Sequence, residues 1–248
     1  MKSVISNKKR LKITLIIVFA VLLAAVIGCA IYLGSYYRAD TDAINKMDFG
    51  GSFTVKELDN GSIAYIPESS VAGVIFYPGG KVEHTAYAPL MKALASEGIA
   101  SVLVKMPFNL AVFDIDAAEG IKEEYPEIQS WYLAGHSLGG SMAASYLADS
   151  YEEFDGLILL GSYSTADISA LPLKVLSIYG SEDKVLNREK YGECLANLPE
   201  DTYEFVIEGG CHAYFGVYGA QKGDGAPSIT NKEQILITSK KIKEFIGG

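Results

Sequence analysis

A serine flanked at two positions by glycines is the feature of this 248-residue sequence that most directly suggests chemistry. Residues 131–140 read WYLAGHSLGG and contain the pattern Gly-x-Ser-x-Gly, formed by Gly135, Ser137 and Gly139. A strand is predicted before the pattern and a helix after it, so we expect the serine on a sharp turn with its hydroxyl above a sheet. Side chains at the two glycine positions would collide with the neighbouring strand and helix. The pattern therefore predicts a nucleophilic serine, the alternative being a plain Gly/Ser turn.

A serine hydroxyl is a weak nucleophile until a base removes its proton, and histidine is the most frequent base. The chain has three histidines. His212 follows the last predicted strand in a glycine-rich loop, and we predict that it is the base; the alternative is a solvent-exposed loop histidine. His136 is adjacent to the serine and is expected to have a packing role. His84 is interpreted as a histidine of a surface loop near the rim of the site.

An acidic side chain is needed to hold the histidine in the correct tautomer. Asp183 follows a strand predicted at 174–179 and lies between the serine and the histidine in chain order, which is the order expected of this kind of site. Glu182 is the competing acid. A solvated loop carboxylate or a helix cap for the segment that starts at Asn187 is the alternative role for Asp183.

Two backbone N–H groups should stabilise the negative charge that develops when a serine attacks a carbonyl. Leu138, directly after the serine, is the first predicted donor. Gly80 is the second, because residues 77–80 (YPGG) follow a buried strand and allow close approach of the backbone. Lys81 is the next choice, and an ordinary Pro-Gly turn is the alternative.

The elements around these residues alternate between short β-rich runs and segments with apolar residues at helical spacing. Such alternation, with strands that are apolar throughout, predicts an α/β fold with a mainly parallel sheet and helices on both faces. The Asn-Gly pair at 60–61 predicts an antiparallel hairpin of strands 52–58 and 62–66. Further strands are predicted at 71–77, 99–105, 131–134, 156–160, 174–179 and 202–207, and helices at 87–96, 114–124, 138–148, 187–197 and 232–246.

The N-terminal residues differ from this pattern, because an uncharged apolar run at 13–33 follows a cluster of basic residues (Lys8, Lys9, Arg10 and Lys12). At helical rise the run is about 30 Å long, enough to cross a bilayer. The positive flank predicts that the N-terminus is inside and the body of the protein outside. We therefore expect a basic cytoplasmic segment at 1–12, a transmembrane or signal-anchor segment at 13–33, a connector at 34–50 and one folded domain at 51–248.

Three fates of the apolar run remain open, and all three export the domain. The run is retained as an anchor, or is cleaved near Ala30, or is lipidated at Cys29, because residues 26–29 (VIGC) resemble a lipobox. Outside the run only Cys194 and Cys211 remain. An oxidising compartment would allow them to pair, although two buried free thiols are the favoured alternative.

Composition excludes several functional classes. Hydrophobic residues make up 49% and charged residues 21% of the chain, which is typical of a folded globular protein. The net charge of −9 argues against binding to nucleic acid, which needs clustered Lys and Arg. No Cys/His cluster has the spacing of a zinc site, so no structural metal is expected.

The sequence resembles the α/β-hydrolase superfamily over nearly all of residues 50–248, and more narrowly the compact bacterial group related to dienelactone hydrolases. The matching segments are YPGG at 77–80, GHSLG at 135–139, GSED at 180–183 and GGCH at 209–212. Members of that group typically use a cysteine nucleophile, where this chain has Ser137. Many members of the superfamily carry His-Gly where this chain has Pro78-Gly79.

The resemblance implies acyl transfer to water, with Ser137 as nucleophile, His212 as base and then acid, and Asp183 as the orienting group. It implies that Gly80 and Leu138 hold the oxyanion and that no metal or organic cofactor is used. Only about a dozen residues lie between the strands at 156–160 and 174–179, the usual place of a cap domain, so we expect no large cap.

The expected partners are a small-molecule or lipid-like acyl substrate and, through the N-terminal segment, a membrane. A carboxylic ester or a related acyl bond is the expected target. A peptidase or amidase, an acyltransferase and a catalytically silent cell-envelope binding or scaffold protein remain as alternatives. The oligomeric state is left open by the sequence.

Overall fold

The computed structural model describes residues 2–247, with side chains from residue 11 onward, so Lys8, Lys9 and Arg10 of the predicted basic segment lie outside the described side chains. The chain divides into two units at Tyr36/Tyr37. The first unit contains one helix, α1 (Lys2–Gly34). Its segment Leu11–Gly34 reaches a mean hydropathy of 3.0 and buries none of its side chains, so it is long and apolar enough to cross a membrane. A signal sequence would have the same properties.

The second unit is built on one sheet of eight strands. The strands are β1 (Phe53–Glu57), β2 (Ile63–Pro67), β3 (Ala72–Tyr77), β4 (Ile99–Leu103), β5 (Trp131–His136), β6 (Gly156–Leu160), β7 (Lys174–Gly180) and β8 (Thr202–Ile207). Their order is β1-β2-β4-β3-β5-β6-β7-β8. β2 pairs antiparallel with β1 and β4, and the remaining pairs are parallel. This confirms the predicted mainly parallel sheet with an antiparallel hairpin at its N-terminal edge.

Helices cover both faces of the sheet, as predicted. They are α2 (Thr41–Asn45), α3 (Ala88–Ser96), α4 (Leu138–Ser150), α5 (Arg188–Cys194) and α6 (Asn231–Gly247). On one face Leu90 and Ile235 pack with Phe76, and on the other Leu147 packs with Leu133. Residues 161–173, between β6 and β7, run as turns and bends without a helix or strand. No cap therefore covers the carboxyl ends of these strands from that connection.

The prediction of a helix at 114–124 is wrong, because this segment forms successive tight turns that end in a 3₁₀ turn at Lys122–Glu124. The Ala118 N–H, which an α-helix would donate to residue 114, is donated instead to the Tyr77 hydroxyl at 2.9 Å. Gly120 then adopts a left-handed backbone with φ 75°. A tertiary hydrogen bond therefore replaces a helical one, and the helical periodicity of the side chains does not decide the local structure.

The buried face of β5 generates a stability prediction. Leu133 is completely buried in the central part of the sheet. We expect Leu133→Ala to lower the free energy of unfolding of the full chain by about 2–5 kcal/mol, because it leaves a cavity in a packed core. Urea denaturation in detergent micelles measures this, with Val55→Ala on exposed β1 as a control that changes it by no more than about 0.5 kcal/mol. A loss below about 1 kcal/mol for Leu133→Ala would contradict the packing described.

Candidate active site

The turn between β5 and α4 places Ser137 in a backbone conformation that L-residues rarely adopt, with φ 52° and ψ −123°. Such a conformation costs about 1–3 kcal/mol and persists only where the surroundings enforce it. Here the Ser137 N–H donates to the Leu160 carbonyl at 2.9 Å, and the Ser137 carbonyl accepts from the Ser162 hydroxyl at 2.6 Å. The turn is therefore held from the end of β6.

The two glycines of the pattern are required by close backbone approaches. A Cβ at Gly135 would lie 2.5 Å from the backbone of Gly139 and Gly140. A Cβ at Gly139 would clash with the carbonyl oxygens of Tyr77 and Pro78, at the end of β3. Since backbone atoms cannot move aside as a flexible side chain can, the glycine requirement expected from the sequence has a direct steric cause.

His212 and Asp183 form a buried pair at the carboxyl edge of the sheet. His212 Nδ1 lies 2.8 Å from Asp183 Oδ2, and both side chains are almost completely buried. The other carboxylate oxygen, Oδ1, accepts the N–H groups of Val185 at 2.9 Å and Leu186 at 2.8 Å. Because a carboxylate only accepts, Nδ1 carries the histidine proton and Nε2 is left as the acceptor. The cap of α5 is Asn187, not Asp183.

One cavity of about 260 Å³ is lined by both Ser137 and His212, together with Leu138, Ser162 and Leu186. Within the described residues His212 Nε2 is buried without a hydrogen-bond partner. The structure thus brings the predicted serine and histidine to one cavity, without a hydrogen bond between them. Such bonds are often long until a substrate is bound. A hollow of about 370 Å³ between β7, β8 and α6 contains none of the predicted site residues.

The two predicted oxyanion donors lie side by side. A Cβ at Gly80 would be 2.7 Å from the Leu138 side chain. Leu138 is the first residue of α4. Its N–H therefore belongs to the helix N-terminus, where the partial positive charge favours an anion.

Other N–H groups of the loop after β3 are already engaged. Gly79 donates to the Tyr87 hydroxyl oxygen at 3.1 Å, and Lys81 donates to the Asn109 carbonyl at 2.7 Å. Among residues 2–247, the Gly80 N–H has no acceptor. Gly80 therefore remains the predicted donor of this loop, and the second choice, Lys81, has its N–H turned to another partner.

Asp224 supports the loop that carries His212, and the sequence did not predict this role. Its carboxylate accepts the N–H groups of His212 at 3.2 Å, Ala213 at 2.8 Å and Gly225 at 2.8 Å. These bonds fix the backbone of the loop that carries the histidine. No local pattern distinguishes this aspartate in the glycine-rich segment 214–225, so the sequence offers no signal for it.

His136 packs, as expected of it, but it also contacts the predicted base. The two imidazole rings of His136 and His212 are 4.4 Å apart between centroids. His136 Nδ1 lies 2.7 Å from the Tyr87 hydroxyl, whose oxygen already accepts the Gly79 N–H. Burial holds the pKa of His136 well below its usual range, and the nearby His212 lowers this pKa further, while the His212 backbone opposes the shift. His136 is therefore neutral at physiological pH.

The sequence also singles out one further histidine, His84, and two cysteines, Cys194 and Cys211. His84 begins the 3₁₀ turn His84–Tyr87 and is partly buried, and burial followed by the charge of Lys105 lowers its pKa. Cys194 and Cys211 are free and buried, and burial raises the pKa of Cys211 to about 12. In the described part of the chain no three His, Cys, Asp or Glu side chains gather as metal ligands.

A strand-turn-helix elbow at the carboxyl edge of a mainly parallel sheet, with a buried acid-histidine pair after later strands, defines a protein of the α/β-hydrolase class. The model of the alpha/beta hydrolase family matches residues 73–236, and the chain belongs to this family. The predicted fold and family resemblance are thereby confirmed, and the protein is a hydrolase by family. No curated protein matches the sequence.

Solved structures share the fold at low sequence identity. The TT1662 protein of Thermus thermophilus is 16% identical, with a TM-score of 0.57 over 79% of this chain and 99% of that one. A protein described as a predicted CIB-like hydrolase from Thermoplasma acidophilum is 15% identical, with a TM-score of 0.53 over 79% and 100%. A dienelactone hydrolase from Anabaena variabilis is 16% identical, with a TM-score of 0.55 over 79% and 97%. At these identities the similarity shows the fold alone.

The Tyr87 hydroxyl provides a test of the loop geometry. We expect Tyr87→Phe to lower the free energy of unfolding by about 1–3 kcal/mol, because the buried Gly79 N–H loses its acceptor. Urea denaturation measures the change, and Tyr203→Phe, which removes the hydroxyl of an exposed tyrosine, is the matched control. Equal stability of Tyr87→Phe and the unaltered protein would contradict the assigned hydrogen bond.

The lowered pKa of His136 predicts a dependence of stability on pH. The pKa of a histidine in an unfolded chain is about 6.5. Below that pH the unfolded chain therefore binds a proton at this position, whereas the folded chain does not. The free energy of unfolding should therefore fall as the pH drops below about 6.5. Denaturation between about pH 7.5 and 5.5 should show a smaller loss for His136→Gln than for the unaltered protein. The same loss in both would show that His136 is not the group responsible.

Proposed function

We propose that this hydrolase cleaves a carboxylic ester, or a closely related acyl bond, through Ser137, His212 and Asp183 and an acyl-enzyme intermediate. The observation that carries the proposal is the buried 2.8 Å contact between His212 Nδ1 and Asp183 Oδ2, next to a cavity that Ser137 also lines. A buried carboxylate and histidine in this arrangement supply a base with one fixed acceptor nitrogen.

In the first half of the reaction the Ser137 oxygen attacks the acyl carbon, and its proton passes to His212 Nε2. Asp183 stabilises the imidazolium that forms, because its Oδ2 accepts the Nδ1 proton. The oxyanion is held by the N–H groups of Gly80 and Leu138, and one such donor typically contributes about 3 kcal/mol to transition-state stabilisation. The proton on Nε2 then goes to the leaving alcohol, which departs and leaves the acyl group on the serine.

In the second half a water molecule gives a proton to His212 Nε2 and attacks the acyl-enzyme. The carboxylic acid product leaves and Ser137 regains its proton. The neutral state of His136 favours both halves, since a charged imidazole 4.4 Å from the His212 ring would oppose its protonation. We therefore assign to His136 a positioning role and not a proton-transfer role.

The surroundings of the cavity favour a small or externally presented acyl substrate. The cavity has a volume of about 260 Å³, and Tyr163, Val185 and Leu186 give it apolar surface beside the polar groups of Ser141 and Ser162. The connection at 161–173 forms no cap. A compact acyl group fits such a site, and a longer chain would extend beyond it.

We further propose that α1 anchors the hydrolase in a membrane of the bacterial cell envelope, with the second unit extracytoplasmic. The support is the apolar segment Leu11–Gly34 and the basic residues that precede it. Cleavage of the segment, or lipidation at Cys29, would leave the hydrolase on the same side. Protease added to intact spheroplasts should degrade the hydrolase unit, and protection of that unit until lysis would contradict this orientation.

Kinetics of the full chain in detergent micelles test the proposed triad. With p-nitrophenyl butyrate as substrate, we expect Ser137→Ala and His212→Ala each to lower kcat by at least about 10³-fold, and Asp183→Asn by a similar factor. The double variant Ser137→Ala/His212→Ala should be no worse than either single variant, because the groups act as one unit.

The exposed Ser169→Ala serves as the matched control and should retain full activity. If folded Ser137→Ala retains more than about a tenth of the activity, Ser137 is not the nucleophile. Preference for the matching p-nitroanilide over the ester would change the proposed bond from an ester to an amide.

A further inference from the structure

Exposed apolar side chains of the second unit are concentrated in one short segment. Four large apolar side chains within residues 108–115 are exposed, and we call them the apolar rim: Phe108, Val112, Phe113 and Ile115. Elsewhere in this unit the exposed large apolar side chains stand singly, at Val55, Val71 and Tyr203. Single exposed apolar residues are ordinary, whereas a contiguous patch marks an interaction surface.

The apolar rim is held in place by the backbone around it. Phe108 and Asn109 both have left-handed φ values, 54° and 56°, which non-glycine residues adopt only where the surroundings enforce them. The Asn109 carbonyl accepts the Lys81 N–H at 2.7 Å. The rings of Phe108 and Phe113 meet edge to face, with centroids 5.7 Å apart. These backbone and ring contacts therefore keep the side chains of the apolar rim exposed.

The segment that carries the apolar rim passes beside the predicted oxyanion site through its buried residue Leu110. The Leu110 side chain lies 3.6 Å from the position that a Cβ at Gly80 would occupy. The turn at Ala111–Phe113 contacts α4, the helix that begins directly after Ser137. A surface that the rim contacts would thus be adjacent to the loop that carries the reaction.

The chain that leaves the apolar helix joins the second unit at the same loop. The Tyr37 N–H donates to the Lys81 carbonyl at 2.8 Å, and the Glu83 N–H donates to the Tyr37 carbonyl at 2.9 Å. Only residues 35–36 separate Tyr37 from Gly34, the last residue of α1. That connection spans at most about 11 Å when extended. The second unit therefore begins, two residues after α1, with a residue that is hydrogen-bonded to the loop after β3.

The charges around the apolar rim indicate which lipid surface it fits. Asp114 and Asp116 lie within and next to the segment, and Lys105 precedes it. The chain has a net charge of −9. An anionic surface would repel the carboxylates, whereas the aromatic and aliphatic side chains suit the interface of a zwitterionic bilayer.

We propose that the apolar rim docks on the bilayer that anchors the chain, and that the substrate is a carboxylic ester of a membrane lipid. This inference rests on the proposed ester hydrolase. The lipid acyl carbon–oxygen bond breaks, its acyl group is carried on Ser137, and the lipid alcohol takes the proton from His212. Water then releases the fatty acid, of which only the part next to the carbonyl occupies the cavity of about 260 Å³, while the rest of the chain extends beyond it.

Fluorescence quenching tests the docking without any assumption about activity. Phe113→Trp is prepared in the full chain and reconstituted in phosphatidylcholine vesicles with brominated acyl chains. Val71→Trp is the matched control, because Val71 is also exposed but precedes β3 and so lies at the amino end of that strand, opposite to the carboxyl end at which the site lies. The native Trp131 is buried and contributes the same background to both. We expect at least twofold stronger quenching for Phe113→Trp, and equal or absent quenching at the two positions would overturn the docking.

Activity on two substrates tests the substrate class. The full chain in phosphatidylcholine vesicles is assayed with a fluorogenic acyl ester of phosphatidylcholine and with soluble p-nitrophenyl acetate. For Phe108→Ser/Phe113→Ser we expect the ratio of lipid to soluble hydrolysis to fall at least tenfold, while Val71→Ser leaves the ratio unchanged. An unchanged ratio in the rim variant would overturn the proposal.

The two experiments distinguish failure of the proposed ester hydrolase from failure of the proposed lipid substrate. If the unaltered protein hydrolyses neither ester, the proposed ester hydrolase is refuted. The quenching experiment would still show whether the apolar rim docks on the bilayer. Hydrolysis of the soluble ester with none of the lipid ester would retain the hydrolase and refute the lipid substrate.

Discussion

The backbone at Ser137 is strained, and much of the arrangement around the cavity can be traced to what enforces that strain. The turn is held from β6 through Leu160 and Ser162, so its conformation depends on the parallel pairing of β5 with β6. The glycines at 135 and 139 follow from the same constraint, because α4 must begin against the end of β3. A local conformation that is unfavourable by itself is thus stabilised by the sheet as a whole.

The predicted acid and base depend on a second set of backbone contacts. Asp183 is fixed by two N–H groups of its own loop, and His212 is held through the bonds from its backbone to Asp224. Gly161 has a positive φ of 51°, and a Cβ there would lie 3.0 Å from His212 Nδ1, so the absence of a side chain leaves room for the imidazole. Both side chains are consequently placed by loops that the strand ends bring together, and neither is free to turn to solvent.

The parts of this arrangement that sequence could predict are those with a local cause. Strand and helix alternation predicts the sheet and its hairpin edge, and the glycine spacing around Ser137 predicts the elbow. The helix expected at 114–124 fails because Tyr77 takes the Ala118 N–H, a contact between residues far apart in the chain. The same reason hides the link between Tyr87 and His136 and the role of Asp224, whose partners are decided only after the sheet has formed.

The proposed serine nucleophile is tested by covalent labelling of the native full chain with a fluorophosphonate, and the adduct is located by peptide mass mapping. A fluorophosphonate reacts with a serine that a base has activated and that lies beside an oxyanion site. We expect one adduct, on Ser137, and no adduct on folded His212→Ala. A folded protein that takes no label, or takes it on another residue, would contradict the proposed serine mechanism.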